Sequence, residues 1–132
     1  MSHSSIYLAP SILAADFARL GDQVREAEQA GATAFCTGEF ADLNAYVTAT
    51  EMAHATAEAH VGPGIAYAFA RSPFVHASAA RHLDKIAPGR VFLGLGAGTG
   101  RMNRDWFGVE SSHPAARMAE LIEVIRAYLG TS

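Results

Sequence analysis

The chain has 132 residues, half of them apolar and 17% charged, which suits one domain with a buried core and excludes a disordered polymer. The net charge of −3 argues against nucleic acid or an anionic membrane as partner, because both select basic surfaces. A lone cysteine, Cys36, excludes an internal disulfide and fits a reducing, cytoplasmic setting. No apolar run reaches the ~20 residues that a membrane span needs. The opening Met1-Ser2-His3-Ser4-Ser5 lacks the basic and apolar regions of a secretory signal.

Four short apolar runs recur about every thirty residues: Ile6 to Ala9, Ala32 to Thr37, His60 to Ala66 and Arg90 to Gly94. A helical pattern follows each, and this alternation predicts parallel βα units. Asp16 is the expected cap of the first helix, with Phe17, Leu20, Val24, Ala27 and Ala30 toward the sheet and a left-handed Gly31 at its end. Asp42 is the expected cap of an alanine-rich second helix running to about Ala59. Ser72-Pro73 opens the third, with proline in the first turn where its missing N–H costs nothing. Pro88-Gly89 leads into the fourth run, and residues 96–112 read as a long connection rich in glycine and arginine. The last helix begins at Ser112-His113-Pro114, buries Met118, Leu121, Ile122, Ile125 and Leu129, and stops at Gly130.

The expected fold class is therefore α/β: residues 1–132 as a single parallel (βα)4 half of a TIM-type (β/α)8 barrel. A complete barrel takes ~250 residues, and four parallel strands leave two unpaired edges. Three arrangements answer this. Two copies associate through the edges, the chain belongs to a longer protein that carries a second half-barrel, or the strands settle as an open flavodoxin-like sheet.

Several motifs stand in one order along the chain. They are Phe35-Cys36-Thr37-Gly38-Glu39-Phe40, Tyr46-Val47-Thr48, Val61-Gly62-Pro63-Gly64-Ile65, Arg71-Ser72-Pro73, Ala77 with Leu83-Asp84, the Gly89 to Gly98 run, Gly108 and the Met118 to Leu129 helix. From about residue 33 to 130 the chain thus resembles the luciferase-like superfamily of flavin monooxygenases and deazaflavin-dependent oxidoreductases. The resemblance implies a small-molecule substrate and FMN or a deazaflavin of the F420 type, whose ring performs hydride transfer or oxygen activation while the protein supplies a dry, oriented pocket. It also implies that the cofactor's phosphate tail is held largely by the second half of a barrel. The first thirty residues resemble ribulose-phosphate 3-epimerase through Ala9-Pro10-Ser11-Ile12-Leu13, Ala15 to Leu20 and Ala30-Gly31-Ala32. That family's His-x-Asp metal ligands are missing from Phe35 to Glu39, which argues against phosphosugar isomerase chemistry. Three functional readings follow: an oxidoreductase half-domain, a catalytically inactive half-barrel fragment or chimeric scaffold that self-associates, and an epimerase-like enzyme.

The site residues follow from the superfamily resemblance. Gly64-Ile65, at the end of the third run, corresponds to a bulge that often holds a non-prolyl cis peptide against the cofactor ring. The plain alternative is a strand with glycine at a bend. The run Gly94-Leu95-Gly96-Ala97-Gly98-Thr99-Gly100 fails the GxGxxG spacing and lies after the fourth run, so it is no dinucleotide fingerprint. Gly96, Gly98 and Thr99 are expected to form a floor without side chains for a flat ring, against the alternative of a tight strand exit.

Glu39, at the end of the second run, is the candidate catalytic residue, the alternative being a solvated charge. Phe40 stands where the family often has His, so a general-acid role for that His is lost. Arg101, Asn103, Arg104 and Asp105 read as a solvated loop that can also meet a substrate or a phosphate, with Trp106 and Phe107 anchoring it to the barrel mouth. The pairs His54/His60 and His76/His82 lack metal-ligand spacing, so no metal is expected. Ser11 has no readable triad, and Cys36 reads as packing.

Overall fold

A computed structural model describes residues 6–131; the opening pentapeptide, with the expectation about a secretory signal, and Ser132 lie outside the described residues. Three parallel strands, β1 (Ala34–Thr37), β2 (His60–Tyr67) and β3 (Gly94–Gly96), pair in the order β1-β2-β3. Five α-helices accompany them: α1 (Leu20–Gln29), α2 (Ala45–Ala55), α3 (Pro73–Ile86), α4 (Gly100–Phe107) and α5 (Pro114–Leu129). Cys36 stands opposite Gly62, Gly64 opposite Gly94, and Tyr67 opposite Gly96, so the carboxyl ends of the strands share one rim.

The main core lies between the sheet and α1 and α2, where Phe35 and Val61 meet Leu20, Val24, Ala49 and Met52. A smaller core joins Ala68 and Ala77 to Leu121 and Ile125 of α5. Among the described residues no helix is long and apolar enough to cross a membrane.

The first run does not form the expected strand. The Leu8 carbonyl accepts from both Thr33 N (2.9 Å) and Ala34 N (3.3 Å), and Leu8 N donates to the Thr33 hydroxyl. A side chain thus takes the amide that a ladder needs. Ile6, Tyr7 and Leu8 stay 58–79% exposed, so no buried face draws them into a sheet. The fourth run also shifts: β3 begins at Gly94, and upstream only an isolated Val61–Val91 bridge forms.

Helix starts follow side-chain acceptors. Asp16 Oδ1 takes Ala18 N at the 3₁₀ turn Phe17–Arg19 that leads into α1, and Ser72 Oγ takes Val75 N at α3. Leu20 and Val24 are buried as expected, whereas Phe17 is partly exposed and Ala30 lies in the exposed last turn before Gly31, whose φ is +112°.

The cap of α2 is Asn44 rather than Asp42. Phe40 and Leu43 exchange backbone bonds of 3.0 and 3.1 Å, which confines Asp42 to the turn between them. Asn44 Oδ1 then takes Tyr46 N and Val47 N. The helix ends at Ala55 instead of Ala59 because the Glu28 carboxylate captures the amides of Ala57, Glu58 and Ala59 at 2.8–3.1 Å.

The middle of the expected long connection is helix α4, capped by Thr99 Oγ1 on Met102 N and closed by Gly108 at φ +64°. In α5, Leu121 and Ile125 are buried and Met118 and Leu129 partly so, but Ile122 faces outward. That helix starts at Pro114 without a side-chain cap and ends at Gly130.

Candidate active site

All four connections that follow the apolar runs meet at the strand rim. Phe17 comes from the first, Glu39 to Asn44 from the second, Ala70 and Arg71 from the third, and Trp106 and Phe107 from the fourth; together they line a cleft of about 670 Å³. Side chains at the carboxyl ends of barrel strands are where such folds carry chemistry. A second hollow of about 460 Å³ between α3 and α5 lies on the outer helical layer and takes none of these loops.

Glu39 sits at the base of the cleft, only 8% exposed, and is not the solvated charge that one reading expected. Oε1 accepts from Tyr67 N (3.1 Å) and Arg71 Nη1 (2.8 Å); Oε2 accepts from Ala45 N (3.1 Å) and from Arg71 Nη2. One carboxylate therefore ties the exit of β1 to the start of α2, the end of β2 and the loop beyond it. The Arg71 guanidinium also lies 5.1 Å from the Tyr46 ring centroid.

A buried pair continues this network. Tyr46 Oη lies 2.6 Å from His76 Nδ1, and His76 Nε2 lies 2.9 Å from the Ala68 carbonyl oxygen. A carbonyl only accepts, so Nε2 carries the hydrogen and Nδ1 accepts from the tyrosine hydroxyl.

These contacts set the protonation states. Burial pulls the Glu39 carboxyl up, but the bonds from Arg71, Ala45 and Tyr67 outweigh it and hold the group below the usual carboxylate range. Burial pushes the Tyr46 phenol up to about 12 and pulls the His76 imidazole down, with the Arg71 charge adding to the latter.

The sign for His76 is definite. The unfolded imidazole takes a proton near its ordinary 6.5, the folded one only at lower pH, so stability falls as pH drops below 6.5. Glu39 adds a second loss that begins below its ordinary 4.5. Urea midpoints measured from pH 8 to pH 5 are expected to decline, and His76→Gln is expected to flatten that decline. An equally steep decline in the variant contradicts the assignment.

The ring-floor candidates occupy a neighbouring place. Gly64 is exposed within an otherwise largely buried strand, the Gly64–Ile65 peptide is cis, and the β2–β3 register shifts between Gly64 and Ala66. A Cβ at Gly96 would lie 2.6 Å from Ile65 Cδ1, so glycine there lets Ile65 pack flat against β3. Gly98 follows, and Thr99 is the exposed cap of α4.

The cleft and this floor adjoin at Tyr67. Its ring lies on Phe107 (centroids 5.5 Å apart) and beside Gly98. Cys36 is a half-buried thiol beneath Gly64.

The connection after β3 divides three ways. Arg101 pairs with Asp105 on the exposed side of α4, and Arg104 is also exposed. Asn103 is buried instead: Nδ2 donates to the Ala97 carbonyl (3.0 Å), and Oδ1 has no partner among the described residues. Phe107 anchors the loop on Tyr67 as expected, whereas Trp106 is 61% exposed and anchors little.

Sequence reasoning missed Arg71, Tyr46 and His76 as site residues. The readable signal was an opposite-charge pair, Glu39 and Arg71, just beyond the ends of two consecutive parallel strands.

The luciferase-like monooxygenase profile matches residues 2–132. The chain belongs to the luciferase-like monooxygenase family. The match includes the first thirty residues, beyond the span from about residue 33 on which the resemblance was expected. A Mycobacterium tuberculosis protein named as a coenzyme F420-dependent oxidoreductase is 32% identical over 103 residues, covering 78% of this chain and 30% of that protein. A 5,10-methylenetetrahydromethanopterin reductase of Archaeoglobus fulgidus is 33% identical over 90 residues, covering 68% and 27%.

Among solved structures, the coenzyme F420-dependent tetrahydromethanopterin reductase of Methanopyrus kandleri superposes with TM-score 0.78 at 25% identity, covering 95% of this chain and 40% of that one. The FMN-bound oxygenating constituent of the Pseudomonas putida 3,6-diketocamphane monooxygenase superposes at 0.74 with 18% identity, covering 93% and 38%, and shares the fold. The chain is thus an α/β part of a TIM-type barrel, and it spans under a third of these curated relatives' length.

Proposed function

We propose that this chain forms the ring-side rim of a deazaflavin-dependent oxidoreductase, with coenzyme F420 as cofactor and a small organic molecule as the second substrate. The observation that carries this reading is the bulge at Gly64–Ile65 in the second half of β2, beside the glycines of β3 and next to the rim where the loops gather. The family membership and the F420-dependent relatives support it.

The residues present fit a flat ring. Gly64 is open to solvent, Gly96 presents no side chain, and Asn103 Oδ1, an acceptor without a partner among the described residues, lies next to Gly98. When bound, the cofactor supplies a ring carbon that gives or takes a hydride. Gly64, Ile65, Gly96, Gly98 and Thr99 would border it and exclude water.

In this reading Glu39 acts as a positioning group. Both of its oxygens are engaged, so it holds Tyr67 and Arg71 in place rather than carrying a proton. A second half-barrel, from further chain or from a second copy, completes the barrel and holds the anionic tail.

Fluorescence titration of the chain with F420, and separately with FMN, tests the cofactor assignment. Saturable F420 binding near ~100 μM, weaker than in a whole enzyme for want of tail contacts, is expected. Gly96→Leu, whose Cβ must displace the Ile65 side chain 2.6 Å away, is expected to remove it. Absence of saturable binding of F420 up to ~1 mM defeats the proposal, and tighter FMN binding moves it to the flavin branch.

A further inference from the structure

The rim cleft has a lining of its own, beside the glycine floor that Tyr67 also borders. Its aromatic surface is open: Phe40 is 49% and Trp106 61% exposed, and Phe107 lies edge-on to Trp106 with ring centroids 6.4 Å apart. A half-exposed aromatic lining around a concave space of ligand size is unusual for a soluble rim unless something covers it.

The charges are lopsided. Four groups charged at neutral pH line the cleft: Glu39, Asp42, Glu51 and Arg71. The single cation among them, Arg71, is consumed by Glu39 in a two-pronged ion pair at the base. Asp42 and Glu51 stand exposed at the lip, and neither has an ion-pair partner among the described residues. The surplus at the opening is therefore negative. Aromatic faces and unpaired carboxylates both favour a cation over an anion of the same shape.

We propose that this cleft binds an apolar organic cation, an amine or quaternary ammonium carried on a hydrocarbon or aromatic body, with the charge at the Asp42 and Glu51 lip and the body against Phe40, Trp106 and Phe107. Naming this ligand as the second substrate rests on the oxidoreductase reading; the binding chemistry does not. The same charge pattern turns the cofactor's anionic tail away from this opening.

Trp106 is the chain's single tryptophan and sits on the wall, so its emission reports occupancy directly. Three probes of one shape and different charge decide the matter: benzyltrimethylammonium, benzyl alcohol and benzoate. The cation is expected to change the Trp106 emission saturably and to bind about tenfold more tightly than benzoate at low salt, with benzyl alcohol between them. The Asp42→Asn/Glu51→Gln double variant is expected to shrink that preference to about threefold or less, and Phe40→Ala to weaken all three probes. Both sets of positions are exposed, so the fold tolerates the changes.

Equal affinity for the three probes, tighter binding of benzoate, or no saturable response to any of them overturns the proposal. The F420 titration is read separately. Cation binding without F420 binding leaves the cleft assignment standing and removes the F420 reading, and the reverse result removes only the cleft assignment.

Discussion

Glu39→Ala is expected to destabilise the chain by about 3–5 kcal/mol, because it leaves a guanidinium in a largely buried place without its partner. Arg71 is 14% exposed and Glu39 8%, so water does little to screen the loss. The variant also strands the amides of Ala45 and Tyr67, whose acceptors are the two carboxylate oxygens.

Removing both charges is a different perturbation from removing one. A Glu39→Met/Arg71→Met double variant replaces an ion pair by apolar volume, and such exchanges are often close to neutral. It is therefore expected to recover a good part of the loss, and a double-mutant cycle from urea denaturation reads the coupling. A single variant within about 1 kcal/mol of the parent, or a double variant no better than the single, shows that the pair does not hold the rim.

Gly62→Ala is expected to be as damaging, for a steric reason. A Cβ on Gly62 would lie 2.0 Å from the Phe92 carbonyl oxygen and 2.9 Å from its carbon. Both atoms belong to the backbone, so no rotamer relieves the clash. The approach to β3 has to move, although Val61 anchors it through N–H to the Arg90 carbonyl (2.8 Å) and through its own carbonyl to Phe92 N (3.2 Å).

We expect a loss of about 3 kcal/mol or more, above the ordinary range for overpacking. Gly108→Ala provides the comparison. Its φ is +64° but nothing lies within 4 Å of the new Cβ, so only the left-handed conformation is penalised, by about 1–2 kcal/mol. Urea midpoints that rank Gly108→Ala as the worse of the two contradict the close approach.

Gly62 also marks how far the chain could be read in advance. It lies in the Val61 to Ile65 motif that carries the family resemblance, yet the sequence does not set it apart from Gly64, because spacing shows that glycines are present and not which atom faces each of them. Glu39 is similar. Its place after a strand was legible and suggested chemistry, but its four bonds come from residues 6 to 32 positions away and are invisible to local pattern. His76 is weighed in the sequence only as a metal ligand with His82, because the Tyr46 hydroxyl that completes it is thirty positions upstream.

The alternation of apolar runs and amphipathic helices was sufficient on its own to determine parallel βα architecture over the second to fourth runs, since burying one helix stripe against a buried strand admits few other solutions. Local chemistry likewise determined the caps at Asp16 and Ser72, where the acceptor and the amide are two or three residues apart. Tertiary structure decided the rest. It decided that Leu8 forms no ladder, since the Thr33 hydroxyl competes for its amide. It decided that α2 stops at Ala55, since Glu28 from another helix claims the next amides. It also decided that Glu39 is bonded to Tyr67 N and Arg71 at the base of the cleft instead of lying free in solvent. Each of these outcomes is a competition for one hydrogen bond or one packing site between groups distant along the chain, and only the folded arrangement names the winner.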